Sequence, residues 1–343
     1  MPTAAGRTPI LVTGATGLLG SHIAERLVAS GEPVRALVRV GSDTRFLESL
    51  GVELATGDLT DPDSLDRAVA GVGTVYHCAA KVGDWGTWAE FQTGCLDATT
   101  NLAGAAARHK VGRFLHISST SAYGHPVEGG APVDEAAPLG RRLWPLWDYY
   151  TRSKVECEQI LWAFHDRGEF PLTVIRPSWL YGERDRTTLK RLVGRLQTGK
   201  VPLIGRGDNP LSAIYAGNVA DAAILAARDP GSVGQAYNIT HQGQITQREF
   251  LDLFARACGA RPPSRSLSYT GVFGVGFLLE AIGRASGRKR PPLITRYATW
   301  LMGRSVSYST EKARTKLGWT PALGNQESID RSVRWFLDQG RQS

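Results

Sequence analysis

Cysteine is scarce in this chain. Four occur among 343 residues, Cys78, Cys95, Cys157 and Cys258, with no C-x-x-C pair and no histidine cluster at metal-ligand spacing. A disulfide scaffold and a structural zinc site are therefore not expected, and no metal is assigned. Long apolar runs are missing too. The longest, Val272 to Ile282, is broken by Glu280 and falls short of the roughly 20 apolar residues that a membrane span needs. Met1 to Pro9 carries no apolar signal core, so a cytoplasmic protein with reduced thiols is expected. Repeats, low-complexity linkers and the signatures of helix-turn-helix, zinc-finger or aromatic-and-basic nucleic-acid binders are absent, and no nucleic-acid partner is expected. What is present is an ordinary globular composition, 42% hydrophobic and 21% charged, with 39 Gly and 18 Pro. Forty Lys and Arg against 32 Asp and Glu leave a net charge of +8 to be explained.

Apolar runs of strand length alternate with helical segments through the first half. Ile10–Thr13, Val34–Arg39, Val52–Ala55, Thr74–Cys78, Arg113–Ser118 and Leu172–Arg176 read as strands, and 18–30, 64–70, 88–109 and 149–166 as helices. Continuous apolar strands separated by helices imply βαβ units and a parallel sheet covered on both faces. The fold class is α/β, a doubly wound Rossmann-type sheet over residues 1–177. A smaller, mostly helical lobe is expected over 178–343, with helices at 189–197, 218–227, 247–258 and 325–338, a strand-like Tyr237–Ile239, and some elements returning to the sheet. Ligands should then bind beyond the carboxyl ends of the strands.

The first strand runs into Gly14-Ala15-Thr16-Gly17-Leu18-Leu19-Gly20. Gly14 permits the tight turn, Gly17 lets the backbone approach a pyrophosphate, and Gly20 lets the following helix pack closely, while the helix N-terminus supplies amide donors. A glycine triplet alone also fits a bare turn; its place between strand and helix points to a dinucleotide. The choice of dinucleotide turns on the end of the second strand, Val38-Arg39-Val40-Gly41-Ser42-Asp43, with Arg45 close behind. Arg39 would pair with a 2′-phosphate, so NADP(H) is favoured, NAD(H) being the alternative.

Tyr150 and Lys154 lie four residues apart on one helical face. A phenol with a pKa near ~10 is a poor acid or base at neutral pH, and a nearby ammonium stabilises its phenolate. An exposed polar pair is the bland alternative. About 31 residues earlier a strand ends in Ser118-Ser119-Thr120-Ser121-Ala122-Tyr123-Gly124. Alternation along the strand end sends neighbouring side chains to opposite sides.

The G-x-x-G-x-x-G spacing, the serine run and Y-x-x-x-K together resemble the extended short-chain dehydrogenases/reductases, the NAD-dependent epimerase/dehydratase superfamily. Arg176-Pro177-Ser178, Val219-Ala220-Asp221-Ala222, Gln235 to Ile239 and the closing Tyr308 to Pro321 extend the resemblance over nearly the whole chain. Lys81 to Gly86 and Asn209 to Asn218 are similar to the 3β-hydroxysteroid dehydrogenase group. The resemblance implies catalysis by Ser119, Tyr150 and Lys154. It also implies cofactor contacts at Gly14, Thr16, Gly17, Leu18, Leu19, Arg39, Asp58, Leu59, Ala79, Ala80, Lys81, Tyr150, Lys154, Pro177 and Ser178, and a homodimer. One departure is that Cys95 and Ala98 stand where the family usually has Asn and Gly, and Asn101 is no obvious substitute.

Hydride transfer between nicotinamide and a lipophilic ketone or secondary alcohol, steroid-like or a β-keto or β-hydroxy acid, is the expected activity. A sugar-nucleotide epimerase or dehydratase is the first alternative; such relatives usually carry an Arg near Leu211-Ser212-Ala213, and none stands there. A cofactor-binding sensor without turnover is the second. Trp85, Trp88, Trp144 and Trp147 flank the catalytic segments, as core or as the walls of an apolar pocket. Residues 272–290, an apolar segment followed by Arg284, Arg288, Lys289 and Arg290, read as a lid helix or as a peripheral membrane contact. Arg39, Arg45 and Lys154 account for a few of the excess cations; others cluster at 184–195 and 284–290.

Overall fold

The computed structural model describes residues 7–185, 188–241 and 245–341, so most of the N-terminal stretch read above, residues 1–6, lies outside it. The first half runs β1 (Ile10–Thr13), α1 (Leu18–Ala29), β2 (Val34–Val38), α2 (Arg45–Ser49), β3 (Glu53–Thr56), α3 (Pro62–Val69), β4 (Thr74–His77), α4 (Trp88–Phe91), α5 (Ala98–Arg108), β5 (Arg113–Ile117), α6 (Tyr149–Asp166) and β6 (Leu172–Pro177). The second half runs β7 (Trp179–Tyr181), α7 (Thr188–Gln197), β8 (Leu203–Ile204), β9 (Ala213–Tyr215), α8 (Ala216–Arg228), β10 (Gln235–Ile239), α9 (Gln247–Ala257), β11 (Ser266–Leu267), α10 (Tyr269–Ala285), α11 (Arg296–Gly303), α12 (Glu311–Leu317) and α13 (Asn325–Arg341).

Seven strands form one parallel sheet in the order β10-β6-β5-β4-β1-β2-β3. Its interior strands are nearly continuous apolar runs because both faces are covered. Ile23 and Leu27 of α1 and Val219 and Ala223 of α8 fill one face. Leu65 of α3, Leu102 and Ala106 of α5, and Leu161 of α6 fill the other. Strand order reverses between β1 and β4, and the crevice beyond their carboxyl ends is where such a sheet takes its ligands.

Beyond residue 177, α8 and β10 belong to this sheet layer, Asp221 of α8 accepting from Arg26 Nε of α1 at 2.5 Å. Ala313 and Leu317 of α12 pack into that layer too, while a separate core joins Val193 of α7, Phe250 and Phe254 of α9, and Ile329 and Val333 of α13. The helix expected over 88–109 is not one helix: a π-helical turn, Gln92–Asp97, interrupts it between α4 and α5. Among the described residues no helix is long and apolar enough to cross a membrane.

Candidate active site

Every residue assigned above to cofactor or catalysis lines one cleft of about 1250 Å³ at the carboxyl ends of the sheet. The glycine loop forms its floor. Gly14 has φ +67°, and a Cβ there would lie 2.8 Å from Ala79 N, so only glycine admits this approach of the β1 and β4 loops. A Cβ on Gly20 would lie 2.3 Å from Gly14 O, which seats the first turn of α1 on the loop. Gly17 caps α1 without any side chain, so the first amides of the helix are left for a ligand. A cradle that a single Cβ would fill, at the start of a 12-residue helix, fits a dinucleotide pyrophosphate.

At the adenosine end, Asp58 Oδ1 accepts from Thr60 N at 2.8 Å and Thr60 Oγ1 at 2.7 Å. Those two donors, with the Arg39 guanidinium, hold the Asp58 carboxyl below its ordinary range. Asp43 forms a two-point pair with Arg45, at 2.9 and 3.0 Å. An adjoining hollow of about 810 Å³ has Arg39, Ser42 and Arg67 in its wall. Arg67 is a second cation for that hollow; it sits in α3 and carries no motif by which the sequence could reveal it.

The residues expected to react lie after β5 and on α6. Ser119 follows β5 and caps the short turn Thr120–Tyr123, its Oγ accepting from Ser121 N at 3.1 Å. Ser118 turns the other way, as strand alternation requires, and donates to buried Glu158 Oε1 at 2.5 Å. Glu158 also receives Arg176 Nη2 at 2.7 Å. Arg176 Nη1 donates to Tyr123 OH at 2.8 Å, and Tyr123 OH donates to Asn238 Oδ1 at 2.7 Å. This closed network ties α6 to β5, β6 and β10 beneath the cleft. Buried Lys154 Nζ donates to Ile117 O at 3.5 Å and lies 6.0 Å from the centre of the Tyr150 ring. Asp148, just before α6, accepts from His125 Nε2 at 2.8 Å and Trp144 N at 3.0 Å, anchoring the start of the helix that carries Tyr150. Behind Lys154, burial pushes His77 down to about 3, with the lysine's charge adding to the effect.

Cys95 lies buried inside the π-helical turn, its Sγ 3.8 Å from Lys81 O. Asn101 Nδ2 donates to Leu59 O at 2.9 Å, so its amide fastens α5 to the loop after β3.

The roof was not legible in the sequence. Tyr297, Trp300 and Leu301 of α11, together with Tyr308, Trp179 and Ser212, also line the cleft. The Tyr297 ring stands edge-on to Tyr150, centres 5.6 Å apart. Burial, and then the neighbouring Tyr150, push the Tyr297 phenol well above its ordinary value. Trp85, Trp88, Trp144 and Trp147 are not among the lining residues. They brace the roof instead: Trp85 Nε1 donates to Arg288 O at 3.0 Å, Trp144 meets Phe273 and Trp147 stacks on Phe277, while Trp88 packs on Tyr149. Helix α10 contributes nothing to the lining and forms the outer layer of the roof above α11.

Residues 10–240 match the model of the NAD dependent epimerase/dehydratase family. The chain is 31% identical over 329 residues to the 2-alkyl-3-oxoalkanoate reductase of Stenotrophomonas maltophilia (strain K279a), covering 94% of this chain and 97% of that one. It is 30% identical over 342 residues to the 3 beta-hydroxysteroid dehydrogenase/Delta 5-->4-isomerase of Mycobacterium tuberculosis (strain ATCC 25618 / H37Rv), with 96% and 90% covered. Among solved structures, gox2253 superposes with a TM-score of 0.81 at 27% identity over 98% of this chain and 99% of that one. With its parallel sheet, glycine-floored cleft and these relatives, the chain belongs to the NAD dependent epimerase/dehydratase family, the extended short-chain dehydrogenases/reductases, as an NAD(P)-dependent enzyme acting on CH–OH groups.

Proposed function

We propose that the enzyme is an NADP(H)-dependent ketoreductase whose substrate is lipophilic, a β-keto or β-hydroxy acid or a steroid-like ketone. The observation that carries this reading is the shared cleft: Ser119, Tyr150 and Lys154 line it together with Tyr297, Trp300 and Leu301, the Tyr297 ring standing 5.6 Å from that of Tyr150. A roof of aromatic and aliphatic side chains favours an apolar substrate body over a sugar nucleotide. Arg39, with Arg67 in the same hollow, supports the preference for a 2′-phosphate. The curated names of two relatives, a 2-alkyl-3-oxoalkanoate reductase and a 3 beta-hydroxysteroid dehydrogenase, belong to the same substrate class.

The dinucleotide would be held by the Gly14–Leu19 loop at its pyrophosphate, by Asp58 and Leu59 at adenine, and by Ala79 to Lys81, Pro177 and Ser178 toward the nicotinamide. When bound, it supplies or accepts the hydride. Ser119 Oγ donates a hydrogen bond to the ketone oxygen and fixes it toward Tyr150. Tyr150 Oη delivers the proton to that oxygen as the carbon is reduced, and takes it back in oxidation. The Lys154 ammonium stabilises the charge left on the Tyr150 oxygen and would also help hold the cofactor at its nicotinamide ribose. The roof keeps water from the reacting carbon.

The test is NADPH consumption by the purified enzyme against 2-alkyl-3-oxoalkanoates of increasing chain length, steroid ketones and UDP-sugars. Turnover that rises with apolar chain length supports the reading. Interconversion of a UDP-sugar without net NADPH loss would establish the epimerase instead.

A further inference from the structure

Helix α10 is built inside out. Gly271, Gly274, Val275, Leu278, Ile282 and Ala285 recur at helical spacing and are all exposed, Val275, Leu278 and Ile282 at 47, 57 and 56%. A surface helix ordinarily presents its charged side to water and its apolar side to the protein. Here the single charge between 270 and 283, Glu280, points inward, where its Oε2 accepts from Arg296 Nε at 2.8 Å. Gly276 and Gly283 bring the inner face down onto Thr295 and Trp85. Exposed Leu146 and Leu293 add to the outward apolar surface, the Leu146 carbonyl being held by Arg296 at the start of α11.

The charge excess falls in the stretch of sequence that contains α10. Residues 253–310 contain nine Lys and Arg and one Glu, which is the whole net charge of +8; the remaining residues are balanced at 31 of each sign. Three of the nine, Arg288, Lys289 and Arg290, follow α10 directly and are exposed. Arg284 is spent inward, lying over Trp85 and Trp147 and donating to Gly86 O at 2.8 Å. An apolar stripe flanked by a cationic run is complementary to a surface that is both greasy and negative. A second copy of the chain fits poorly, because a two-fold contact through α10 would lay the positively charged segment against itself.

We propose that α10 docks the enzyme on an anionic lipid bilayer, with Val275, Leu278 and Ile282 in the headgroup and acyl boundary and Arg288, Lys289 and Arg290 against the headgroups. The roof helix α11 then lies between the bilayer and the cleft, so a lipophilic substrate has a short way from membrane to Tyr150. The docking itself does not depend on the substrate assignment above.

The full-length enzyme is sedimented with phosphatidylcholine vesicles with and without phosphatidylglycerol, at low and high salt. The expected result is partitioning at least about tenfold stronger onto the anionic vesicles and weakened by salt. The double variants Leu278→Asp/Ile282→Asp and Arg288→Glu/Lys289→Glu should each lower it by about tenfold or more, with melting temperature and turnover of a water-soluble ketone unchanged. No sedimentation, equal binding to both vesicles, or full binding by either variant would overturn the proposal. So would a dimer, seen by light scattering, that Leu278→Asp splits, since a second copy would then cover α10.

Discussion

At the scale of single residues, the cleft sorts near-identical neighbours into different work. Ser118 and Ser119 share a chemistry and differ by one step of strand alternation; that step sends one into the Arg176–Glu158 network and the other to the cleft. This much was legible in the sequence, because alternation is a property of any extended strand. Tyr297 and Arg67 were not, since a tyrosine in an unmotifed helix and an arginine on a surface helix have no pattern to betray them. Tyr150→Phe should lower kcat by about 10²–10⁴ and leave the dissociation constant of NADPH, read by fluorescence titration, within a few-fold. If Arg39 pairs with the 2′-phosphate as proposed, Arg39→Asp should raise the KM for NADPH by about tenfold or more and leave that for NADH unchanged or lower. Glu158→Ala strands the Arg176 guanidinium in the interior, and urea unfolding should show a loss of about 3–5 kcal/mol.

At the scale of elements, the sheet announced itself and the roof did not. Continuous apolar strands bounded by glycine and followed by amphipathic helices have few other readings, and β1 to β6 and α1, α3 and α6 lie within a few residues of expectation. The segment 88–109 is helical along its length, but the π turn at Gln92–Asp97 is a matter of one extra residue per turn, to which hydrophobic periodicity is blind. Helix α10 shows in the sequence as an apolar run, whereas the eight-residue α11 is too short to display a clear period. The two-residue strands β8 and β11 are too short to carry any alternation. The contact between α1 and its loop yields a direct test. Gly20→Ala places a Cβ against Gly14 O, and the loop must shift. NADPH affinity should fall by about tenfold or more while circular dichroism stays that of the wild type, because the helix itself gains from alanine.

At the scale of the whole molecule, three of the four buried histidines shape the response to acid. Burial holds His22, His77 and His116 below their ordinary value, His77 at about 3. Once unfolded, each takes a proton near pH ~6.5. Between those limits the unfolded chain binds more protons than the folded one, so stability falls as the pH falls, by up to about 1.4 kcal/mol per pH unit for each histidine. The urea midpoint should drop between about pH 7 and pH 5, and less steeply in His116→Phe; a flat midpoint would contradict the burial of these groups. The same interior surrounds Lys154, with His77 and His116 near it and the cleft lined by it. The central claim is that this cleft passes a hydride to a lipophilic ketone. Its most direct measurement is a single turnover of NADPH deuterated at the nicotinamide C4, each face in turn, with a 2-alkyl-3-oxoalkanoate, followed by mass spectrometry of the product. The account predicts one deuterium on the new carbinol carbon from one face only, and transfer slowed by about 10²–10⁴ in Tyr150→Phe. Unlabelled product from both labelled faces, or label transfer as fast in Tyr150→Phe as in the wild type, would contradict it.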